Sequence, residues 1–230
     1  MNDTDLSVHI TCYRSVSPST SLRYHDVMKQ PAAWRPSVNS HAQPTNDVRE
    51  RILSTASELF YREGTRAVGV DLVVAQSGVA KTSLYRYFPT KDDLIREFLL
   101  REDADFWKKW DAISAAYPHS PEQELLAQLQ WIGERVARPG YRGCPQINIG
   151  AEYSDKNHPA RKVAVAHKAE LRSRLKGIAK AMDLSDPEYF SLAMALMIDG
   201  ALSSGTALHR KGPARFLQSL ARVLVESQTS

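Results

Sequence analysis

Gly78-Val79-Ala80-Lys81-Thr82-Ser83-Leu84-Tyr85-Arg86-Tyr87-Phe88-Pro89-Thr90-Lys91 brings three helix boundaries together in one short run. Gly78 can close one helix in the left-handed conformation that a residue without Cβ adopts freely. Pro89 ends a second, because its ring removes an N–H donor and pushes the preceding residue out of the helical region. Thr90 followed by Asp93 then forms a capping pair that opens a third. In the helix starting at Lys81, Leu84 and Phe88 stand four residues apart and share one face. The opposite face carries Lys81, Thr82, Tyr85 and Arg86, with Ser83 and Tyr87 at its margins. No Asp or Glu occurs from Gly78 to Lys91, although the whole chain has 26 acids against 30 lysines and arginines.

Upstream, a helix of about two turns can start at Val70 with Gly69 as its cap and run through Val73, Val74 and Ala75 to Gly78. Before it, Asp47 with Glu50 reads as a capping pair, and Val48, Ile52, Ala56, Leu59 and Phe60 form one apolar stripe ending at Gly64. Two short helices joined by a glycine turn and packed on a longer one make a helix-turn-helix, whose second helix enters the DNA major groove. Val70, Val73, Val79, Leu84 and Phe60 supply the small core that holds it.

Lys81 and Lys91 each fall in the first turn of a helix, where the macrodipole disfavours a cation by a few tenths of a kcal/mol. A DNA phosphate would compensate, since helix N-termini offer free amides and a nearby lysine adds an ionic contact. Tyr, Thr, Ser and Arg on the same face can donate to phosphates or base edges.

Downstream of Thr90 the pattern changes to long helices, predicted over 91 to about 115, 121–137, 145–153, 159–182, 187–209 and 213–227. Leu94, Ile95, Phe98, Leu99, Phe106 and Trp110 give the first of them its apolar face. Between Ser191 and Leu208, Leu192, Met194, Leu196, Met197 and Leu202 alternate with Ala, Ser, Gly200 and Gly205, which permit close helix approach. Phe216, Leu220, Val223 and Leu224 form a stripe on the last helix. No strand alternation or internal repeat stands out, so the expected fold class is all-α. Residues 1 to about 45, interrupted by Pro18, Pro31, Pro36 and Pro44, read as a flexible leader, with Met28 as an alternative start.

The bulk numbers agree with this reading without deciding it. The 230 residues, 43% hydrophobic and 24% charged, suit an ordinary globular protein with one or two cores, and the +4 net charge leans toward a polyanionic partner. Cys12 and Cys144, far apart, support neither a disulfide framework nor a zinc site, which fits a reducing cytoplasm. No apolar run nears the roughly 20 residues of a membrane span, and Asp3 and Asp5 stand where an export signal would be basic. The histidines are scattered, with no His-x-x-x-His pairing and no phosphate-binding glycine loop, so neither an enzyme nor a bound cofactor or metal is expected. His158 and His167 are expected at a helix cap and on a solvated face.

Residues 47–95 resemble the DNA-binding domain of TetR/AcrR-type transcriptional regulators. The resemblance is carried by Ile52, Ala56, Phe60, Gly64, Val70, the run from Gly78 to Phe88 and Thr90-Lys91. It implies that Lys81, Thr82, Tyr85, Arg86 and Tyr87 sit at the groove, that Ser83 touches a phosphate, and that Lys91 anchors the backbone. Gly69 and Ala80 depart from the family's usual hydroxyl caps, and Leu72 stands where a polar residue is usual. The resemblance further implies a DNA-binding domain over 46–91 and a helical effector-binding and dimerisation domain over 92–230. The last two helices would pair with their copies in a homodimer on a near-palindromic operator, released when a small-molecule effector shifts the helix after Lys91. Trp107 and Trp131, off the main stripes of their helices, and Tyr153 are the candidate effector residues. The segment from Tyr141 to Pro159 resembles one subgroup of the family. Within it Cys144 would cap a helix at Pro145, where a lowered thiol pKa would allow redox sensing, although a plain structural cysteine is the commoner case. A DNA-bound adaptor of the same fold without a small ligand is the alternative function.

Overall fold

The computed structural model describes residues 43–205 and 212–229, with the side chains of 43–46 and 212–215 left aside. The leader before Gln43, the proposed start at Met28, Cys12 and the predicted helix end near 209 lie outside the described residues. Within them the elements are α1 (Gln43–Glu63), α2 (Val70–Ser77), α3 (Lys81–Tyr87), α4 (Lys91–Ser114), α5 (Pro121–Ala137), α6 (Pro145–Glu152), α7 (Pro159–Ala181), α8 (Pro187–Ser204) and α9 (Gly212–Glu226). No strand occurs among the described residues, and the fold is all-α.

Most boundaries fall where the sequence chemistry puts them. Gly64 and Gly78 have φ of +87° and +65°, so each ends its helix in the left-handed region. Thr90 and Asp93 form a complete capping box: Thr90 Oγ1 accepts from Asp93 N at 3.0 Å, and Asp93 Oδ2 accepts from Thr90 N at 3.1 Å. Prolines open α5, α6, α7 and α8, where the missing N–H costs nothing. One boundary corrects the sequence reading: α1 begins at Gln43, so Asp47 lies inside the helix instead of capping it. Pro44, read as a breaker, sits in the first turn, where proline is tolerated.

Two apolar clusters organise the chain. The first joins α1–α3 to the first half of α4 through Ile52, Phe60, Val73, Leu84, Phe88 and Leu94, and extends to Ile149, Ala160 and Val163 of α6 and α7. The second fills the space between α4, α5, α7, α8 and α9 around Trp110, Leu129, Leu171, Phe190 and Met194. Helix α4 runs through both, so the α1–α3 unit and the distal part share one continuous helix.

The α8 stripe divides by face. Met194 and Leu202 are buried, whereas Tyr189, Leu192 and Leu196 are exposed, as are Phe216, Leu220 and Val223 of α9. Their spacings of three and four put each trio on one helix side. Close approach of the chain after α8 to α5 falls on Gly205, where a Cβ would collide with Val136.

Candidate DNA-binding surface

Helix α3 is only seven residues long and depends on its packing. Its inward residues Leu84 and Phe88 are 0% and 1% exposed, each burial contributing roughly 1.5–3 kcal/mol. Val73 and Phe60 are buried beside them, with Val70 and Val74 packed at the edge. The Arg49 guanidinium lies 5.2 Å over the Phe88 ring and pairs with Glu97 at 2.6 Å, tying α1, α3 and α4 together. Gly69 and Ala80 provide extended N-cap backbones without a side-chain cap bond.

With that side fixed, Lys81, Thr82, Tyr85 and Arg86 are exposed, and Ser83 and Tyr87 are half-buried margins. Arg86 lies 5.3 Å from the Tyr87 ring centre and donates to Tyr87 OH at 3.4 Å. Leu72 is exposed on α2 at 36%. The structure therefore gathers six of the seven expected contact residues on one short helix and puts Lys91 at the start of the next. Lys91 Nζ donates to the Arg66 carbonyl at 3.4 Å, and partial burial lowers its pKa.

Lys81 was not expected to have an acidic neighbour, yet its Nζ lies 2.6 Å from Asp71 Oδ1 in the first turn of α2. The hydrogen bond and charge of Asp71 raise the Lys81 pKa. Compensation of this lysine thus comes partly from the protein itself. Sequence order alone did not reveal the pair, because it depends on how α2 crosses α3.

The second notable junction lies behind this surface. Glu152, at the end of α6, accepts from Thr65 Oγ1 at 2.5 Å and from Arg66 N at 3.0 Å in the α1–α2 loop. Arg142 N donates to Tyr61 OH at 3.0 Å. Between these contacts is a cleft of about 370 Å³ lined by Tyr61, Gly64, Arg66, Arg142 and Glu152 among others. The helix-turn-helix is thus connected to the larger domain through α6 as well as α4.

The three candidate effector residues do not converge. Trp107 and Trp131 both touch Phe106, with ring centres 4.9 and 4.8 Å away, and both are buried in the distal core. Tyr153 is elsewhere, stacked at 4.0 Å on His158 with its hydroxyl 3.1 Å from Thr65 Oγ1. Cys144 is the N-cap of α6, as expected, and is buried. His158 caps α7, its Nδ1 accepting from Ala160 N at 3.2 Å. His167 contradicts the expected solvated position: it is 1% exposed and 2.7 Å from Asp103. Its place in the series Ala160, Val163, Ala164, His167, Leu171, Leu175 is the α7 buried stripe, a signal present in the sequence.

Comparison with known proteins agrees with this geometry. Residues 52–98 match the family described as bacterial regulatory proteins, tetR family. The chain is 26% identical over 157 residues to the HTH-type transcriptional regulator YjdC of Escherichia coli, covering 67% of this chain and 81% of that one. It is 28% identical over 164 residues to the HTH-type transcriptional repressor KstR of Rhodococcus jostii, covering 70% and 71%. The crystal structure of SCO4454, a TetR-family transcriptional regulator from Streptomyces coelicolor, superposes with a TM-score of 0.77 at 26% identity, covering 80% of this chain and 97% of that one. Residues 52–98 thus carry the DNA-binding region of the tetR family of bacterial regulatory proteins, and the chain as a whole is similar in sequence and fold to TetR-family transcriptional regulators.

Proposed function

We propose that this protein is a homodimeric, cytoplasmic repressor that binds a near-palindromic operator and is released by a small-molecule effector. The observation that carries the reading is the outward face of α3. Lys81, Thr82, Tyr85 and Arg86 are exposed while Leu84 and Phe88 pin the helix from behind. Residues 46–91 are the DNA-binding unit and 92–230 the effector-binding and dimerisation unit. Tyr85 and Arg86 reach base edges with Thr82, Tyr87 flanks them, and Lys81, Ser83 and Lys91 contact phosphate.

The exposed apolar trios of α8 and α9 support dimerisation, since a contiguous patch of this kind on a soluble protein marks an interaction face. A two-fold dimer places two α3 helices about 34 Å apart, one DNA turn, and so reads an inverted repeat. Glu152 and the α4 rod give the larger domain two handles on the helix-turn-helix. An effector that binds one arrangement of those handles better shifts the population away from the DNA-competent spacing.

The test is footprinting of the purified protein on DNA upstream of its own gene, with and without a metabolite panel. A protected inverted repeat that one compound clears is the expected result. Absence of any palindromic site removes the repressor reading, and a site that no compound clears favours the adaptor.

A further inference from the structure

The cleft between the α1–α2 loop and α6, about 370 Å³ in volume, has a floor and a mouth of opposite character. Phe60, Phe98 and Ile149 form the floor and are 3%, 2% and 1% exposed, with the two rings centred 5.8 Å apart. Glu63, Arg66, Arg142 and Glu152 also line the cleft, the first three of them exposed. An apolar space of a few hundred Å³ at the junction of two units, bordered by a few polar groups, is the usual form of a small-molecule site.

Two cations and two carboxylates thus border one space, and among the described residues neither guanidinium has a carboxylate partner. Unpaired charges are common on a surface, but here both arginines spring from pinned backbone. Arg142 N donates to Tyr61 OH at 3.0 Å, and Arg142 O accepts from Asn148 Nδ2 at 3.1 Å. Arg66 N donates to Glu152 Oε2 at 3.0 Å, and Arg66 O accepts from Lys91 Nζ at 3.4 Å. Glu152 Oε2 also accepts from Thr65 Oγ1, whereas Oε1 takes no hydrogen bond among the described residues. Backbone already fixed in this way lowers the ordering cost of binding.

We infer that this cleft binds a small zwitterion of α-amino-acid type with an aromatic side chain. Its ring packs on Phe60, Phe98 and Ile149, its carboxylate is received by Arg142 with Arg66, and its ammonium by Glu63 with Glu152 Oε1. A phosphate or other dianion would meet two carboxylates, a plain amine would meet two guanidinium groups, and a neutral ring would leave all four unused. Only a ligand carrying both signs uses the whole mouth. Its walls come from the α1–α2 loop and from α6, so an occupant bridges the helix-turn-helix and the larger domain and favours the arrangement it fits. The role of this cleft as the effector site rests on the repressor reading above; the site itself does not.

The test uses the full chain with three probes: L-phenylalanine, phenethylamine, which lacks the carboxylate, and 3-phenylpropionate, which lacks the ammonium. Calorimetry should show L-phenylalanine binding at least about tenfold tighter than either, the factor one charge-assisted contact supplies. Arg142→Gln should weaken L-phenylalanine and leave phenethylamine unchanged, and Glu63→Gln should weaken it and leave 3-phenylpropionate unchanged. Both side chains are exposed, so neither change disturbs the core. L-Phenylalanine should also shift the δ1 methyl resonance of Ile149 through its ring current. No binding of L-phenylalanine, equal binding of the three probes, variants that bind all three as the wild type does, or an unmoved Ile149 methyl overturns the inference. The predicted discrimination without operator release upholds the site and counts only against its effector role. Release by a compound equally potent on wild type and on both variants upholds the effector reading and removes this cleft from it.

Discussion

Lys81 and Asp71 are joined by a 2.6 Å ion pair that links the first turns of α3 and α2, so the lysine that opens α3 is held by the protein's own acid. Both side chains are more than half exposed, and such a pair contributes little to stability. Its consequence lies in DNA binding: a phosphate that recruits Lys81 must displace Asp71 and approach a carboxylate that repels it.

Asp71→Asn should therefore tighten binding to any duplex, severalfold at low salt, and steepen the dependence of log K on log salt. Fluorescence anisotropy with operator and unrelated DNA checks this. Equal affinity to the wild type on both would mean that Lys81 does not meet phosphate.

Tyr85 and Lys91 should fail differently. Tyr85→Ala removes an exposed ring from the outer face of α3 and should abolish preference for the operator while leaving the oligomeric state intact. Lys91→Ala should weaken operator and non-specific DNA alike and lower the salt slope by about one, the signature of one lost phosphate contact. Salt titrations on both DNAs separate the two outcomes.

Leu196 and Val223 are 65% and 63% exposed in the single chain, so replacing them should not disturb its core. Leu196→Asp combined with Val223→Asp should yield a folded monomer with an unchanged circular dichroism spectrum and much weaker operator binding. Sedimentation velocity measures the mass; a dimer that persists would place the interface elsewhere.

His167 predicts an acid weakness. Its folded pKa is pushed below the ordinary 6.5 chiefly by burial, with Asp103 opposing the shift. The unfolded chain therefore takes up a proton first, and stability falls as the pH drops below about 6.5, until the folded state also protonates. Thermal melts from pH 7.5 to 5 should show this loss, and a folded His167→Asn variant should show a shallower one. Identical slopes would assign the acid sensitivity to other groups.

The parts of this fold legible in the sequence are those set by local chemistry. Gly64, Gly78, Pro89 and the Thr90–Asp93 box place their helix boundaries because each acts on its own few residues. The division of α3 into an inner Leu84–Phe88 side and an outer Lys81–Arg86 side follows from helical spacing alone. What was hidden depends on neighbours. Trp107 is off the main α4 stripe but still buried, because α4 contacts other helices on more than one side. Asp71 reaches Lys81 only through the crossing of two helices. His167 was legible from its stripe, but its residue type suggested solvent.

Whether α3 enters a major groove is best measured by dimethyl sulfate protection of an operator bound by the full chain. The reagent methylates guanine N7 in the major groove and adenine N3 in the minor groove. The account predicts protected guanine N7 atoms in two inverted half-sites about one helical turn apart, with the protection lost in Tyr85→Ala. Protection confined to adenine N3, or guanine protection that persists unchanged in Tyr85→Ala, would contradict it.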